Sequence, residues 1–118
     1  MQPRASLQLT AQDVNGVRVL ALSGEADRFG RDAVAEAIDA ARRDGRAVVV
    51  DLSEATYLDS SMLSALVAAA LRGRRRSEKL VVVCETSRLR RSLEVKGLGS
   101  VLHLANSRAE ALKLIDQL

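Results

Sequence analysis

The residues in this sequence that are best suited to chemistry are three consecutive polar side chains, Asp59, Ser60 and Ser61. A serine hydroxyl acts as a nucleophile when a nearby base takes its proton. An aspartate beside two serines also suggests an acid–base pair. The same residue types are favoured at helix starts, where their side chains accept hydrogen bonds from free backbone N–H groups. An N-terminal helix cap is the simpler interpretation of Asp59.

Nucleophilic catalysis by either serine would require a general base, and the chain has a single histidine, His103. His103 lies in a short apolar run, which is more typical of a packed or half-exposed residue than of a base. A small hydrolase that uses Ser61 with His103 stays open only if the two side chains lie within hydrogen-bond reach. The sequence has no Gly-rich phosphate loop and no cluster of His, Cys and carboxylate residues. It therefore predicts no catalytic residue, no cofactor and no metal.

The elements around the three polar residues are a strand and a helix. Residues 47–52 are apolar apart from Asp51 and mostly β-branched, which predicts a strand buried on both faces. Ser53–Leu58 is predicted as a connection, and a helix follows. A stripe at helical spacing predicts its buried face: Leu63, Leu66, Val67, Ala70 and Leu71.

The same projection separates the two serines. Ser60 falls at the edge of the buried stripe, and Ser61 falls nearly opposite, on a face shared with Ala65, Ala68 and Arg72. Met62 falls on the flank of the helix. The projection predicts an outward Ser61 followed by small residues, a surface that a partner could approach closely.

The remaining pattern predicts strands alternating with helices. An N-terminal hairpin is predicted over residues 6–23, with its turn at Asn15-Gly16. The later predictions, in chain order, are a polar loop at 23–27, a helix at 31–43 that ends at Asp44-Gly45, a strand at 80–84, a helix at 88–96 capped by Ser87 and ended by Gly97, a strand at 101–104, and a last helix with Ser107 and Glu110 as a capping box and Ala111, Leu112, Ile115 and Leu118 inward. The order β-β-α-β-α-β-α-β-α predicts an α/β fold, with the hairpin joined to a mainly parallel mixed sheet.

Composition narrows the function classes. With 118 residues, 47% hydrophobic and 28% charged, the chain is predicted to be one domain over residues 1–118. Aromatic residues make up only 2%, which argues against stacking on nucleic-acid bases. No apolar segment is long enough to span a membrane, so a soluble, cytoplasmic protein is expected. Cys84 is expected to be a buried, inert thiol.

A basic run follows the central helix and contributes to the net charge of +3: Arg72, Arg74, Arg75, Arg76 and Lys79. Positive side chains at a helix C-terminus are usually solvated there and are favoured by the helix dipole. A phosphate-binding patch and a nucleic-acid surface are the alternatives. The low aromatic content and modest charge argue against the nucleic-acid surface, and the sequence assigns no role to the run.

The stretch Val48–Leu71, VVVDLSEATYLDSSMLSALVAAAL, resembles the signature of STAS domains, the anti-sigma factor antagonist family. In that family a strand that ends in Asp-Leu-Ser leads to Asp-Ser-Ser-Gly at a helix start. Leu22–Asp27 is similar to the family's Gly-Glu-Leu-Asp loop. Gly97-Leu98, Leu104 and Ser107–Leu112 are similar to its closing strand and helix. The resemblance covers nearly the whole chain and implies a STAS-like fold.

The resemblance also implies a function and a site. It implies that the dephosphorylated protein binds an anti-sigma factor that is also a serine-protein kinase, so that a sigma factor is released. It implies phosphorylation of Ser61 with ATP and Mg²⁺, dissociation of the complex, and dephosphorylation by a PP2C-type phosphatase. The partner-binding residues implied are Asp59, Ser60, Met62, Ala65, Asp27 and Gly24. The protein is then a substrate and not an enzyme.

Met62 departs from the family pattern, which has glycine at that position. A glycine would let a partner approach closely, whereas a methionine would obstruct it or offer an adaptable apolar contact. A STAS docking module without phosphorylation, in another bacterial signalling assembly, is therefore the alternative function. The sequence names neither the cognate anti-sigma factor nor the sigma factor.

Overall fold

The computed structural model describes residues 7–85 and 87–118. Within these ranges the strands are β1 (Gln8–Val14), β2 (Val17–Ala26), β3 (Val48–Leu58), β4 (Leu80–Val83) and β5 (His103–Ala105). The helices are α1 (Arg31–Arg43), α2 (Ser60–Arg75), α3 (Ser87–Val95) and α4 (Arg108–Gln117), with a short 3-10 turn at Leu98–Ser100. The predicted order of strands and helices is confirmed.

The strands form one mixed sheet in the order β1-β2-β3-β4-β5. β1 pairs with β2 antiparallel, and the other neighbouring pairs are parallel. The hairpin turn has positive φ at both central residues, 52° at Asn15 and 81° at Gly16. Such a turn matches the twist of the strands that it joins, and it explains why Asn-Gly predicts a hairpin correctly.

Helices cover both faces of the sheet. The larger core joins the side chains of α1, α2 and α3 to one face of the sheet, including Val48, Val50 and Leu52 of β3. The smaller core joins Ala111 and Ile115 of α4 to the other face. Successive residues of a strand point to opposite faces. A strand covered on both sides must therefore be mainly apolar, as β3 is in its first half apart from Asp51.

Two predicted loops are strand instead. The predicted polar loop at 23–27 lies mostly within β2, and the predicted connection at 53–58 lies within β3. These segments pair with each other, with Gly24 opposite Ala55 and Ala26 opposite Leu58, through a ladder with two register shifts. Their polar side chains are partly or fully exposed. Ala26 is buried, and Ala55 and Leu58 pack against the larger core, but these apolar residues are too few and too irregularly spaced to indicate a strand from the sequence.

The buried face of α2 is rotated from the predicted one. The buried residues are Met62, Leu63, Leu66, Ala69, Ala70 and Gly73. Leu71, predicted inward, is 45% exposed, and Val67 is only partly buried. Gly73 lies within the helix and does not end it. A Cβ there would overlap the guanidinium of Arg42, so the small residues allow α1 to pack closely.

The C-terminal third follows the prediction with local differences. Gly97 ends the α3 region with a φ of 74°, and the final strand is shifted to His103–Ala105. The predicted cap by the Ser87 side chain lies outside the described residues. Ser107 caps α4 by accepting from the backbone N of Glu110 at 3.1 Å. The Glu110 carboxylate accepts from Asn106 N rather than completing the box, and Leu118 is exposed.

A buried carboxylate joins β3 to α4. Asp51 is 6% exposed and accepts hydrogen bonds from the backbone N and hydroxyl of Ser53 and from Arg108 Nε. Burial by itself raises the pKa of Asp51, but the Ser53 and Arg108 hydrogen bonds outweigh it and hold this pKa below its usual value. The first and third residues of the Asp-Leu-Ser motif thus anchor the last helix to the sheet.

Candidate functional site

Asp59 organises the junction between β3 and α2. Its Oδ1 accepts a hydrogen bond from Met62 N at 2.8 Å and so caps the helix, as predicted. Its Oδ2 accepts from the backbone N of Arg28 at 3.0 Å, across the gap to the β2–α1 loop. Both carboxylate oxygens therefore bind backbone N–H groups. An acid–base pairing with the neighbouring serines is not part of this geometry.

The facing loop, residues 27–30, is itself built around a carboxylate. Asp27 Oδ1 accepts from Phe29 N at 3.0 Å, and its backbone carbonyl accepts from Gly30 N at 3.0 Å. The Asp59 N–H donates to the Ala26 carbonyl at 3.1 Å, which ties this loop to the start of α2. The structure thus brings the predicted residues Asp27 and Asp59 to one end of the sheet.

Gly24 lies near this end, within β2. Its φ of 86° is one that side-chain-bearing residues rarely adopt, and it sits beside a register shift in the β2–β3 ladder. The glycine therefore shapes the strand that leads to the loop, and a role in partner contact stays a prediction.

The two serines are exposed in a different order from the predicted one. Ser60 is exposed, so its predicted inward position is wrong. Ser61 is half-buried, and its Oγ accepts a hydrogen bond from Arg31 Nη1 at 3.2 Å. The difference follows from the rotation of α2, which turns Met62 into the core and Ser60 outward. Ser61 stays reachable and has a cationic neighbour.

Met62 is fully buried, so its predicted place on the flank of the helix is wrong. Its side chain belongs to the larger core, where a flexible thioether fills space between helix and sheet. A buried side chain neither obstructs a partner nor offers it a contact surface. Ala65, one turn after Ser61, is half-buried and continues the smooth face that was predicted.

Sequence reasoning missed three neighbours of this site. Arg31 begins α1, and its side chain is 50% exposed beside Ser61. The only phenylalanine and the only tyrosine of the chain, Phe29 and Tyr57, are 74% and 53% exposed. Phe29 lies in the facing loop with the guanidinium carbon of Arg28 4.9 Å from its ring centre. The sequence could have indicated these two aromatic residues. The core is built mainly from aliphatic side chains, and each aromatic residue lies two positions from a candidate site residue, Phe29 from Asp27 and Tyr57 from Asp59.

The geometry separates His103 from Ser61. His103 is paired with Val81, which in turn is paired with Val49 near the start of β3. Ser61 follows the other end of β3. Nine residues of strand at about 3.3 Å each put roughly 30 Å between these levels of the sheet. The hydrolase hypothesis required hydrogen-bond contact and is therefore wrong.

Part of the basic run is engaged within the chain. Arg74 Nη2 donates to the carbonyls of Ser100 at 2.7 Å and Val101 at 2.9 Å. Lys79 Nζ donates to the Ile115 carbonyl at 2.9 Å. These two cations therefore tie the C-terminal third of the chain to α2 and to the segment just before β4.

Cys84 has the environment expected from the sequence. It is 1% exposed, and burial raises the pKa of its thiol to about 11. A thiol that stays protonated at neutral pH is a poor nucleophile. Within residues 7–85 and 87–118, no helix is both long and apolar enough to cross a membrane.

Comparison with known proteins identifies consistent relatives. A family model described as "Mlab, STAS domain" matches residues 9–105. The anti-sigma-F factor antagonist RsfB of Mycobacterium tuberculosis is 35% identical over 108 residues, which cover 91% of this chain and 88% of RsfB. The crystal structure of an anti-sigma factor antagonist from Mycobacterium paratuberculosis superposes with a TM-score of 0.83 at 30% identity, over 94% of this chain and 95% of that one.

A more distant structure shares the fold. The Bacillus cell fate determinant SpoIIAA, solved in its phosphorylated form, has a TM-score of 0.68 at 18% identity, over 93% of this chain and 99% of that one. At this identity the likeness concerns the fold alone.

Proposed function

Because this chain belongs to the STAS domain family, we propose that it is an anti-sigma factor antagonist, which binds an anti-sigma factor and so releases a sigma factor. The proposal is supported by two relatives that carry this name, are at least 30% identical, and match about nine-tenths of the chain. In this role the protein is a binding partner and a kinase substrate, not a catalyst.

The observation that carries the proposal is the position of Ser61. Its hydroxyl stands in the first turn of α2, partly accessible and in hydrogen-bond contact with Arg31. We propose Ser61 as the phosphoacceptor and the anti-sigma factor, acting as a serine kinase with ATP and Mg²⁺, as the donor. A PP2C-type phosphatase would restore the hydroxyl. Phosphorylation on this fold has a precedent in SpoIIAA, solved in its phosphorylated form.

The folded chain can accept a phosphate at Ser61. Phosphorylation adds about −1.5 to −2 charge. Free N–H groups and the positive end of the helix dipole favour that charge in the first turn of a helix. Arg31, already 3.2 Å from the hydroxyl oxygen, offers a guanidinium to the phosphate oxygens. The fold should therefore survive the modification.

A partner that fits the unmodified surface should not tolerate the phosphate. We place the contact surface around Ser61, together with the exposed side chains of Phe29, Tyr57 and Ser60 and the half-buried Ala65. Aromatic side chains are common anchors of interfaces, and these two are solvent-exposed beside the site. A charge buried without compensation costs about 3–5 kcal/mol, which corresponds to weakening by some hundreds- to thousands-fold.

The burial of Met62 bears on the alternative function. The alternative, a docking module without phosphorylation, rests on the expectation that a methionine in place of glycine obstructs the kinase. Since the side chain points into the core, it leaves the surface beside Ser61 open.

Sigma factors act on RNA polymerase in the cytoplasm, so the proposal includes a cytoplasmic location.

The function can be tested by titrating the purified protein into each anti-sigma factor–sigma factor complex of its own organism. Release of the sigma factor by the unmodified protein, and by Ser60→Ala, is the expected result. Stoichiometrically phosphorylated protein should release none at the same concentration. Absence of binding to every anti-sigma factor would contradict the proposal, and equal binding before and after phosphorylation would favour the docking module.

A further inference from the structure

A second polar site lies at the opposite end of α2 from Ser61. A cavity of about 370 Å³ opens where the C-terminal ends of α1 and α2 meet, lined by Asp39, Arg42, Arg43, Arg72, Arg76 and Glu78. The 16-residue helix α2 spans roughly 24 Å at about 1.5 Å per residue. The cavity is therefore distinct from the surface around Ser61.

Arg42 lies against this cavity with unmet hydrogen-bonding capacity. Its side chain is 6% exposed, and its Nε and Nη2 atoms are buried without a hydrogen-bond partner in the described part of the chain. The nearest carboxylate oxygen, Glu78 Oε1, is 3.9 Å from Nε, beyond hydrogen-bond distance. A buried charged donor without a partner costs more than a neutral one. Burial lowers the pKa of Arg42, against a smaller opposite effect of Glu78.

Gly73 of α2 makes room for the Arg42 guanidinium. A Cβ at Gly73 would overlap Nη2 of Arg42 and would come within 3.1 Å of the Glu78 carbonyl. A glycine in a helix interior costs roughly 0.5–1 kcal/mol relative to alanine. The helix thus bears a conformational cost at the one place where the guanidinium rests.

We propose that this cavity binds a phosphate-type anion, with Arg42 as its buried donor and Arg72 and Arg76 at its rim. Four arginines and two carboxylates line the cavity, and Arg43 Nη2 also lies 3.3 Å from Glu36 Oε1 outside the lining, so these groups together leave one net positive charge that an anion would balance. Guanidinium forks match phosphate oxygens in geometry as well as charge.

The residues that line the cavity favour a phosphate group over a nucleobase. No aromatic residue lines the cavity, so a nucleobase would find no stacking surface. Inorganic pyrophosphate or the phosphate chain of a nucleotide fits the charge and the volume. The site is independent of the proposed function, since none of its residues belongs to the surface around Ser61.

The test is a titration of the intact protein with sodium pyrophosphate, followed by the Arg Nε–Hε signals in ¹H–¹⁵N NMR and by the melting temperature. Sodium chloride at matched ionic strength is the control. A saturable shift of the Arg42 signal with a Kd below about 1 mM, absent with chloride, is the expected result. The absence of a saturable shift would overturn the proposal.

Variants distinguish a built site from diffuse charge. Arg76→Ala removes an exposed arginine from the rim and should weaken pyrophosphate binding about tenfold. Arg91→Ala removes an exposed arginine of α3 that does not line the cavity and should change binding less than twofold, within the effect expected of distant screened charge. Equal weakening by the two variants would reduce the effect to non-specific attraction and overturn the proposal.

Two further variants address Arg42 itself. Arg42→Gln should abolish saturable binding, and Gly73→Ala should weaken it while every charge is kept, because the added Cβ displaces the guanidinium. Circular dichroism of each variant checks the fold. If Gly73→Ala folds and binds pyrophosphate as tightly as the wild type, the placement of Arg42 is wrong. Parallel titrations with pyrophosphate and ATP separate the sources, since equal affinities indicate recognition of the phosphate chain alone.

Discussion

The two ends of α2 carry opposite partial charges, and each end is matched by side chains of the opposite sign. At its N-terminus one carboxylate, Asp59, caps the helix and binds the facing loop, which leaves Ser61 as a neutral group beside Arg31. At its C-terminus arginines accumulate, and Arg74 binds the carbonyls of Ser100 and Val101. The helix dipole favours both arrangements.

The difference lies in what a negative charge would meet at each end. At the N-terminus the backbone and a single guanidinium favour it, so a phosphate on Ser61 should be held without changing the fold. At the C-terminus the dipole opposes an anion, and any affinity must come from the arginine side chains alone. The first end therefore suits a switch that changes recognition, and the second suits a static framework with a binding cavity.

The largest expected effect is on partner binding at the N-terminal end. Ser61→Asp places a negative charge where the phosphate would stand. We expect its affinity for the anti-sigma factor to fall at least about a hundredfold, since an uncompensated buried charge costs roughly 3–5 kcal/mol. Isothermal titration calorimetry measures the loss. Ser61→Ala is the matched control and should bind within a few-fold of the wild type; weakening by both variants alike would assign the effect to the lost hydroxyl rather than to charge.

The exposed aromatic residues provide the next effect. Phe29→Ala and Tyr57→Ala should each weaken anti-sigma factor binding by roughly 2 kcal/mol, typical of an interface anchor. Neither should lower the melting temperature by more than a degree or two, because both side chains are largely exposed. Val95→Ala removes an equally exposed apolar side chain from α3 and serves as the control. If Val95→Ala weakens binding as much as Phe29→Ala, the surface around Ser61 is misplaced.

Asp59 tests how the N-terminal end is held. Asp59→Ala removes the helix cap and the acceptor for Arg28 N, and we expect a loss of about 1–2 kcal/mol in the free energy of unfolding. Asp59→Asn keeps a capping oxygen but replaces the other with a donor, so its loss should be smaller. Urea denaturation gives both values. A larger loss for asparagine than for alanine would contradict the assignment of Oδ1 as the cap.

The smallest effect is expected at the C-terminal end. Arg74→Ala loses two hydrogen bonds to backbone carbonyls and should destabilise the fold by about 1 kcal/mol. Its affinity for the anti-sigma factor should stay unchanged, in contrast to that of Ser61→Asp, Phe29→Ala and Tyr57→Ala. Arg75→Ala, the neighbouring exposed arginine, is the control for charge and should change neither quantity. Weakened partner binding in Arg74→Ala would break the division between the two ends.

The sequence predicted the helices and strands correctly where the apolar pattern or the turn and cap residues indicated them. The hairpin at Asn15-Gly16, α1 over Arg31–Arg43 and the cap at Asp59 were all readable from local chemistry. The late parts of β2 and β3 were not, because they contain few apolar residues and the ladder between them has two register shifts, which interrupt the period of two. Local periodicity does not report such pairing.

The sequence singled out candidate site residues but did not predict the orientation of the helix α2 that carries them. The sequence identified Ser61 and Asp59, yet a rotation of α2 buried Met62 and exposed Ser60. Packing against α1 contributes to that rotation, since Gly73 leaves room for the Arg42 side chain of α1, and a helical projection does not contain this information. Arg31 was missed because it lies 30 positions before Ser61 in the sequence, and the contact between them joins two different helices.

The most direct test of the central claim is intact mass spectrometry after incubation with ATP, Mg²⁺ and the serine-kinase anti-sigma factors of the same organism. Three proteins are compared: the wild type, Ser60→Ala and Ser61→Ala. We predict one added phosphate on the wild type and on Ser60→Ala, and none on Ser61→Ala. A phosphate that persists on Ser61→Ala, or that disappears only in Ser60→Ala, would contradict the assignment of Ser61 as the switch.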